Sequence, residues 1–371
     1  MMNDNDLENW VYEQGGPAIQ LRMYMRQSEN KSKKDVENSV SKLLNIEEVN
    51  TILNYLDGFK IQSRDKKTLE HLIHYYKETC IDNFFPQLLD MGFRAGIPIL
   101  DEKMQPVRDV FMYLLTEDYD YCYYYGLMLH RFFFMAGYTH QEIIESMEQR
   151  LNAIHKSAYK RIFDIYQDES KLPKKPKQWA DIGVLKDDLN PFSRFAKEPL
   201  PTIYDISALA YFPDTCKNSE NQAKIDDIIE YILDPEFQKI REGYGLLWVE
   251  SRRIYHACGW SPTLPLYEDY NGPQNLSVNS VLNYLYMMSN FRAAHKSKWF
   301  KNCINYVEQF RTEKGTYIFP KEYLYRKYID KAFLNESAMK LKRTEREIII
   351  RELVSTLIMV EINKRVAEFT S

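Results

Sequence analysis

The sequence lacks the cysteine pattern of a disulfide framework. Its five cysteines are an odd number, they are widely spaced, and no C-x-x-C pair occurs. Small secreted domains that depend on disulfides usually carry an even number of cysteines. The cysteine content therefore predicts a reducing, cytoplasmic location. The five are Cys80, Cys122, Cys216, Cys258 and Cys303.

Long apolar runs and an excess of basic charge are also missing. No uncharged apolar run approaches the ~20 residues that span a bilayer, and the acidic, polar N-terminal residues do not resemble a signal peptide. The net charge is −4 and the pI is about 6.1, whereas nucleic-acid-binding domains usually carry a basic face. We therefore expect neither a membrane span nor a nucleic-acid partner.

Familiar catalytic motifs are absent as well. The sequence has no glycine-rich phosphate loop, no nucleophile elbow and no H-E-x-x-H motif. No cofactor is evident, and neither zinc nor magnesium has a motif in its support. Candidate functions must therefore rest on groups of side chains.

Helical periodicity dominates what is present. Apolar side chains recur at helical spacing over 64–80, over 139–154 and along a long C-terminal stretch. Thr139 and Glu142 match a capping box, which predicts Thr139 as an N-cap. Strand signals are sparse, and only 315–320 (GTYIFP) predicts a short strand or hairpin arm.

Glycine and proline indicate where helices and domains end. Gly15-Gly16-Pro17 predicts a break between two short helices, because proline suits the first turn of the second helix. Five prolines between 171 and 202 mark a linker. We predict an N-terminal helical half over 1–170, a linker over 171–202 and a C-terminal helical half over 203–371, which are able to pack as one domain.

A faint internal repeat supports paired helices. Residues 44–52 align without a gap to 232–240, and in each case a short helix with an acidic first turn follows an apolar residue. We predict an all-α fold, a helical-hairpin array of the α/α-toroid kind with room for one short β-hairpin.

Three stretches carry a resemblance to a known group. They are WVYEQGGPAIQLRM (10–23), 233–265 with LDPEFQKIREGYGLLW and RRIYHACGWSPTLP, and GTYIFPKEYLYRK (315–327) with the later ELVSTLIM. The chain resembles uncharacterised clostridial-type bacterial proteins that are loosely similar to the terpenoid cyclase and protein prenyltransferase superfamily. The resemblance implies an α/α toroid. It implies no activity, because the Asp-x-Asp-Asp acid motif, the Gln/Trp repeats and the prenyltransferase zinc motif are missing.

The stretch RRIYHACGW, 252–260, holds the first candidate site. His256 and Cys258 are both good zinc ligands, but a zinc site needs three or four ligands. A third would come from Asp205, Asp214 or Cys216. In an extended segment His256, Cys258 and Trp260 share one face. The stretch is therefore interpreted as core packing, a pocket wall or a metal site.

Acidic residues at 117–120 form the second candidate. Glu117, Asp118 and Asp120 place three carboxylates close together, which raises one pKa as general acid catalysis requires. The alternative is an acidic helix N-terminus. His71 and His74, three apart on one predicted helix, are interpreted as ordinary surface or core histidines. The charged face of 319–327 offers Lys321 to an anionic group.

Two classes of function stay open. The first is a non-catalytic protein that binds a small apolar ligand or a protein partner on a concave face. The second is an enzyme acting on an apolar or prenyl-type substrate in an aromatic-lined cavity; a sugar-active α/α barrel would need paired carboxylates roughly 5–10 Å apart. The candidate catalytic residues are Asp205, His256, Cys258, Glu117, Asp118 and Asp120. The candidate ligand-binding residues are Tyr204, Arg252, Arg253, Tyr255, Trp260 and Lys321.

Overall fold

The computed structural model describes residues 3–26, 32–60, 64–117, 120–265, 281–320, 324 and 347–370. Of these residues 66% are helical, and they form 16 α-helices and one two-stranded antiparallel sheet. The prediction of an all-α fold with a short β-hairpin is confirmed. No helix within the described ranges is long and apolar enough to cross a bilayer.

The helices are numbered in chain order. The first eight are α1 (Asp4–Gln14), α2 (Pro17–Arg26), α3 (Lys33–Leu44), α4 (Glu47–Asn54), α5 (Lys66–Ile73), α6 (Ile81–Asp90), α7 (Pro98–Thr116) and α8 (Asp120–Ala136). The next eight are α9 (Gln141–Tyr159), α10 (Ile203–Ala210), α11 (Ser219–Ile232), α12 (Pro235–Gln238), α13 (Val281–Met288), α14 (Arg292–Lys296), α15 (Lys298–Glu308) and α16 (Glu347–Thr370). The strands are β1 (Leu246–Val249) and β2 (Ile254–Ala257).

The break between α1 and α2 lies where glycine and proline predict it. The first helix ends at Gln14 and the second begins at Pro17. A Cβ atom on Gly15 would lie 2.6 Å from both the Ile19 side chain and the Val11 carbonyl oxygen. The close approach of the two helices therefore requires glycine at this position.

The capping box predicted at Thr139 does not form. The helix α9 begins one residue later than expected, and its N-cap is His140, which makes no side-chain capping bond. Glu142 instead accepts a hydrogen bond from Nε of Arg108 at 2.6 Å. The prediction fails because this ion pair with α7 takes the carboxylate that the box requires.

The hairpin lies in a different place from the predicted strand. Residues 315–320 contribute a single β-bridge, between Tyr317 and Arg311. The amides of Tyr317 and Phe319 donate instead to hydroxyl groups of Thr356 and Ser355 on α16, each at 3.0 Å. The predicted strand is wrong because helix side chains satisfy its backbone donors.

Helices from both sides of the segment 171–202 pack against one another. α8 contacts α10, α9 contacts α11, and α16 returns to contact α1 near the start of the chain. Buried side chains of these helices belong to one large hydrophobic core, with a small second cluster beneath the hairpin. The three-part division and the toroid arrangement stay predictions.

Candidate functional site

Residues 252–260 form the end of the hairpin turn, the strand β2 and the sharp turn after it. His256 is exposed on β2, whereas Cys258 is 1% exposed. The φ angles of Gly259 and Trp260 are 86° and 59°, so the chain leaves the extended conformation directly after Cys258. The expectation that His256, Cys258 and Trp260 share one face is therefore wrong. Burial also raises the pKa of the Cys258 thiol, which disfavours the reactive thiolate.

The other proposed zinc ligands lie in separate surroundings. Asp205 is buried in α10, Asp214 forms an ion pair with Lys217, and Cys216 is half-buried. No group of three or more His, Cys, Asp and Glu side chains in the described ranges is arranged to hold a metal ion.

Asp205 forms a closed ion pair with Arg150. Its two carboxylate oxygens accept hydrogen bonds from Nε and Nη2 of the arginine, each at 2.8 Å, and each side chain is 1% exposed. Asp205 also completes a capping box with Thr202 at the start of α10. One carboxylate meets one guanidinium, so both charges are compensated within the protein.

The acids at 117–120 are only partly described. Glu117 is half-buried after α7, and its carbonyl oxygen accepts a hydrogen bond from Arg194. Asp120 begins α8, but its side chain lies outside the description, and Asp118 lies outside the described residues altogether. The grouping of the three carboxylates therefore stays a prediction.

The basic and aromatic candidates of the hairpin differ in exposure. Arg252 and Arg253 are exposed in the turn between the strands. Tyr255 is buried, packs against Trp248 with ring centroids 4.7 Å apart and the rings tilted by 50°, and donates its hydroxyl hydrogen to the Pro173 carbonyl. Tyr255 therefore anchors the hairpin. Lys321 lies outside the described residues.

Tyr204 and Trp260 meet in a group that we call the aromatic cluster. Its members are His74, Tyr124, Phe192, Tyr204 and Trp260. Trp260 lies at its centre, with its ring centroid 5.3 Å from His74 and 5.1 Å from Tyr124. The buried Tyr124 hydroxyl has no hydrogen-bond partner among the residues described.

His74 is held by a carboxylate. α5 ends at Ile73, so His74 leaves the predicted helix, and its Nδ1 lies 2.9 Å from Oδ2 of the buried Asp82. Tyr204 donates to the same oxygen at 3.1 Å. Because Nδ1 donates to a carboxylate, Nε2 of the neutral ring is left as the basic atom. The sequence did not predict a role for Asp82, because Asp82 lies eight residues from His74 and belongs to the next helix.

A cavity of about 300 Å³ lies where α2, α8 and α16 meet the loop after α6. We call it the arginine pocket. Arg26, Arg94 and Arg365 line it together with Lys364. Its apolar wall consists of Met23, Met135, Leu357 and Val360.

One buried network forms the floor beside this pocket. Arg22 is 2% exposed and makes two hydrogen bonds to the carboxylate of Glu361, at 2.9 and 2.8 Å. Arg22 also donates to Oδ1 of Asp90 at 2.9 Å and to the Tyr286 hydroxyl at 3.0 Å. Arg26 forms an ion pair with the same Glu361 at 2.8 Å, and Tyr286 donates to that carboxylate at 2.7 Å.

Two arginines of the pocket form no direct ion pair with a described carboxylate, although Glu361 acts on Arg365 from a longer distance. Arg94 donates only to the carbonyl oxygens of Leu89 and Phe93, and no described residue accepts from its Nε or Nη2. Arg365 donates to the Tyr286 carbonyl and the Ser289 hydroxyl, and stacks on the Tyr286 ring with its Cζ 4.1 Å from the centroid. Within the described chain, neither guanidinium has a carboxylate within ion-pair distance.

The pKa values of Asp90, Glu361 and Arg94 show which charges the surroundings of the pocket favour and which they disfavour. Burial raises the pKa of Asp90 to about 7 despite the opposing effect of Arg22 and Arg94. Burial would also raise the pKa of Glu361, but Arg22 and Arg26 lower it to about 2. Burial and the neighbouring cations Arg22 and Arg26 lower the pKa of Arg94 to about 10. Arg94 therefore stays charged at neutral pH in a site that disfavours its charge.

The sequence contains a partial signal for this pocket. Arg22 and Arg26 are one helical turn apart in α2, as are Glu361 and Arg365 in α16. Charged side chains are rarely buried next to the apolar stretch of a helix unless they are paired with an opposite charge. Their meeting could not be predicted, because Arg22 and Glu361 are 339 residues apart.

The comparisons with known proteins add no family. No protein-family model, no curated protein and no solved structure matches this chain. The resemblance to the α/α-toroid superfamily therefore stays a prediction, and the candidate site must be interpreted from its own geometry.

Proposed function

We propose that this protein binds a small anionic ligand in the arginine pocket and acts as a non-catalytic binding protein. The observation that carries the proposal is that Arg94 and Arg365 face a cavity and form no direct ion pair with a described carboxylate, although Glu8, Glu361 and Glu368 line the same cavity. Both arginines are half-buried, and partial removal of a charge from water is unfavourable unless an opposite charge compensates it. A bound anion supplies that compensation.

The geometry of Arg94 suits this role. Its Nη1 is fixed by two backbone carbonyls, at 2.6 and 2.8 Å, which leaves Nε and Nη2 for a ligand. That edge of a guanidinium offers two parallel N–H groups, which match two oxygens of a carboxylate or phosphate. The cavity volume lies at the lower end for small-molecule sites.

This proposal belongs to the binding class predicted from the sequence, but with an anion in place of a purely apolar ligand. The surroundings of the predicted catalytic residues support a binder: Asp205 is closed in an ion pair, whereas His256 is exposed on the hairpin. We also propose the cytoplasmic location that the cysteine content predicts.

Calorimetric titration with inorganic phosphate tests the proposal. Arg94→Met and Arg365→Met should each weaken binding roughly ten- to hundredfold, because a hydrogen bond to a charged group contributes ~1.5–3 kcal/mol. Arg252→Met is the matched control, since Arg252 is an exposed arginine of the hairpin turn. Circular dichroism melting checks that each variant folds. Equal affinity of the three variants, or no binding to the unchanged protein, contradicts the proposal.

An enzyme acting on an apolar or prenyl-type substrate is the second candidate. The observation that favours it is His74, whose Nδ1 is bonded to Asp82 beside the rings of Tyr124 and Trp260. A carboxylate that orients a histidine in this way prepares Nε2 to accept a proton. Aromatic faces would stabilise developing positive charge.

Incubation with farnesyl diphosphate, followed by mass spectrometry of the products, tests this second candidate. We expect turnover to fall in His74→Ala and to persist in His71→Ala, which alters a histidine of the same α5 region. Absence of any product, or equal turnover in both variants, would rule out this use of His74.

A further inference from the structure

We propose that the ligand of the arginine pocket is a phosphate monoester, with a doubly charged phosphate at the guanidinium groups and a short apolar substituent against the methionine-containing wall. This inference rests on the proposed function and specifies its ligand. Three features of the site support it: the excess charge, the concentration of that charge around one ring, and the chemistry of the wall.

The charges on the floor and inner wall of the pocket are out of balance by two. Four guanidinium groups, of which only Arg22 is fully buried, share two buried carboxylates there, and a dianion would balance this set. The four arginines are Arg22, Arg26, Arg94 and Arg365, and the two acids are Asp90 and Glu361.

Lys364, Glu8 and Glu368 form the rim of the pocket and carry further charges. These charges act on a bound anion more weakly than the charges on the floor do. Lys364 is 53% exposed and lies 3.5 Å from Glu8, so water and a neighbouring charge both offset it. Glu368 is exposed. Exposed charges are screened by solvent and salt, whereas charges on the floor act through a less polarisable medium. The floor therefore determines the charge that the pocket selects.

The positive charge is concentrated in a small volume. Three guanidinium carbons surround the ring of Tyr286: Arg365 at 4.1 Å, Arg26 at 5.8 Å and Arg22 at 5.9 Å from its centroid. Arg94 is close enough for its pKa to be lowered, after the larger effect of burial, by Arg22 and Arg26. Because the cations are gathered in this way, a compact group with both negative charges on one centre fits better than two separated carboxylates.

The remaining wall selects for an apolar substituent. Met23, Leu357 and Val360 are buried, and Met135 is partly exposed at the same cavity. Methionine side chains adapt to irregular apolar surfaces. Free inorganic phosphate would leave this wall in contact with water, whereas an ester with a small hydrocarbon group would cover it. The volume of about 300 Å³ excludes a large polyanion.

Two matched pairs of probes test the proposal by calorimetry at constant ionic strength and pH 8. Sulfate and methanesulfonate differ by one oxygen and one negative charge. Inorganic phosphate and phenyl phosphate carry similar charge at this pH and differ in the apolar group. We expect sulfate to bind at least tenfold more tightly than methanesulfonate, and phenyl phosphate at least tenfold more tightly than phosphate.

The variants connect these preferences to the pocket. Arg365→Met should reduce the preference for sulfate over methanesulfonate, and Leu357→Asn should reduce the preference for phenyl phosphate over phosphate. Arg252→Met should leave both ratios unchanged. Arg94→Met gives a second measurement of the charge preference if Arg365→Met proves unstable on melting.

The outcomes separate this inference from the proposed function. If sulfate and methanesulfonate bind equally well, and Arg94→Met weakens both, the pocket binds anions but the doubly charged ligand is wrong. If phenyl phosphate binds no better than phosphate, the ester is wrong. If none of the four probes binds the unchanged protein, both the ligand class and the proposed function are overturned.

Discussion

Two groups of arginines in this protein, each containing a fully buried member, differ in how their charges are balanced. At the closed pair, Arg150 meets Asp205 one to one, and both are sealed from water. At the arginine pocket, four guanidinium groups share two carboxylates beside a cavity. The balanced pair needs nothing further, whereas the anion that we propose would neutralise the unbalanced group. Under this proposal, charge balance together with an adjacent cavity, rather than burial alone, distinguishes a structural arginine from a binding arginine.

The largest expected effect concerns the closed pair. Arg150→Met should lower the free energy of unfolding by about 3–5 kcal/mol, because it leaves Asp205 buried without its counter-charge. Urea denaturation measures this loss. Arg94→Met is the comparison, and it should cost clearly less stability while affecting anion binding more. If the two variants lose equal stability, the distinction between the two groups is wrong.

Removing an acid from the pocket should separate stability from binding. Glu361→Gln breaks the bonds to Arg22 and Arg26, so we expect a loss of about 2–3 kcal/mol of unfolding free energy. The same change adds one net positive charge to the floor, so sulfate should bind more tightly. Denaturation and calorimetry on the same preparation measure the two effects. Weaker sulfate binding by a folded variant would contradict the charge argument.

His130 provides a third case, a buried basic group without a cavity. Neither ring nitrogen has a hydrogen-bond partner within the described chain, and burial lowers its pKa to about 4. The folded state therefore binds this proton less readily than the unfolded state, so stability is lost as the pH falls from about 6.5 towards 4.

His130→Leu should remove this sensitivity and raise the unfolding free energy by about 1–2 kcal/mol, because two unsatisfied nitrogens are replaced by apolar atoms. Thermal melting at pH 7 and pH 5 measures both effects. His155→Leu is the control, since the ring of His155 is bonded to Asp227 at 2.8 Å. Equal acid sensitivity in the unchanged protein and in His130→Leu would contradict the interpretation.

The smallest effect is a change of anion affinity with pH. Asp90 has a pKa of about 7, and the charged groups that face it are Arg22 on α2, Arg94 in the following loop and Glu361 on α16. Sulfate itself does not titrate between pH 6 and 8. Deprotonation of Asp90 adds a negative charge to the floor, so sulfate affinity should fall as the pH rises, by roughly three- to tenfold for a Coulomb energy of about 1 kcal/mol.

Asp90→Asn sharpens this measurement. The variant should bind sulfate at pH 8 about as tightly as the unchanged protein does at pH 6, and its affinity should vary little with pH. An unchanged pH dependence in the variant would show that another group controls it.

Features of the fold that depend only on residues close together in the sequence could be predicted. The break at Gly15-Gly16-Pro17 and the all-α class follow from local composition and periodicity, and both are confirmed. The strand at 315–320 failed because distant hydroxyl groups on α16 replaced its expected partner. Helix ends also failed where a tertiary ion pair competed, as at Glu142.

The candidate site was beyond sequence reasoning for the same reason. The spacing of Arg22 and Arg26, and of Glu361 and Arg365, is visible in the sequence, but nothing local indicates that the two helices meet. Tyr204 and Trp260 were predicted as ligand-binding residues, and the structure places them together beside His74. Whether they bind a ligand stays a prediction.

The bridge between Arg22 and Glu361 also has a consequence for synthesis of the chain. The ribosome makes α2 long before α16, because 339 residues separate the two partners. During that interval Arg22 must stay solvated or find a temporary anion. Contacts of such long sequence separation form late and slow the folding of a domain. We therefore expect the arginine pocket to be among the last parts of the molecule to assemble, and the anion that we propose for it would then also act as a folding aid.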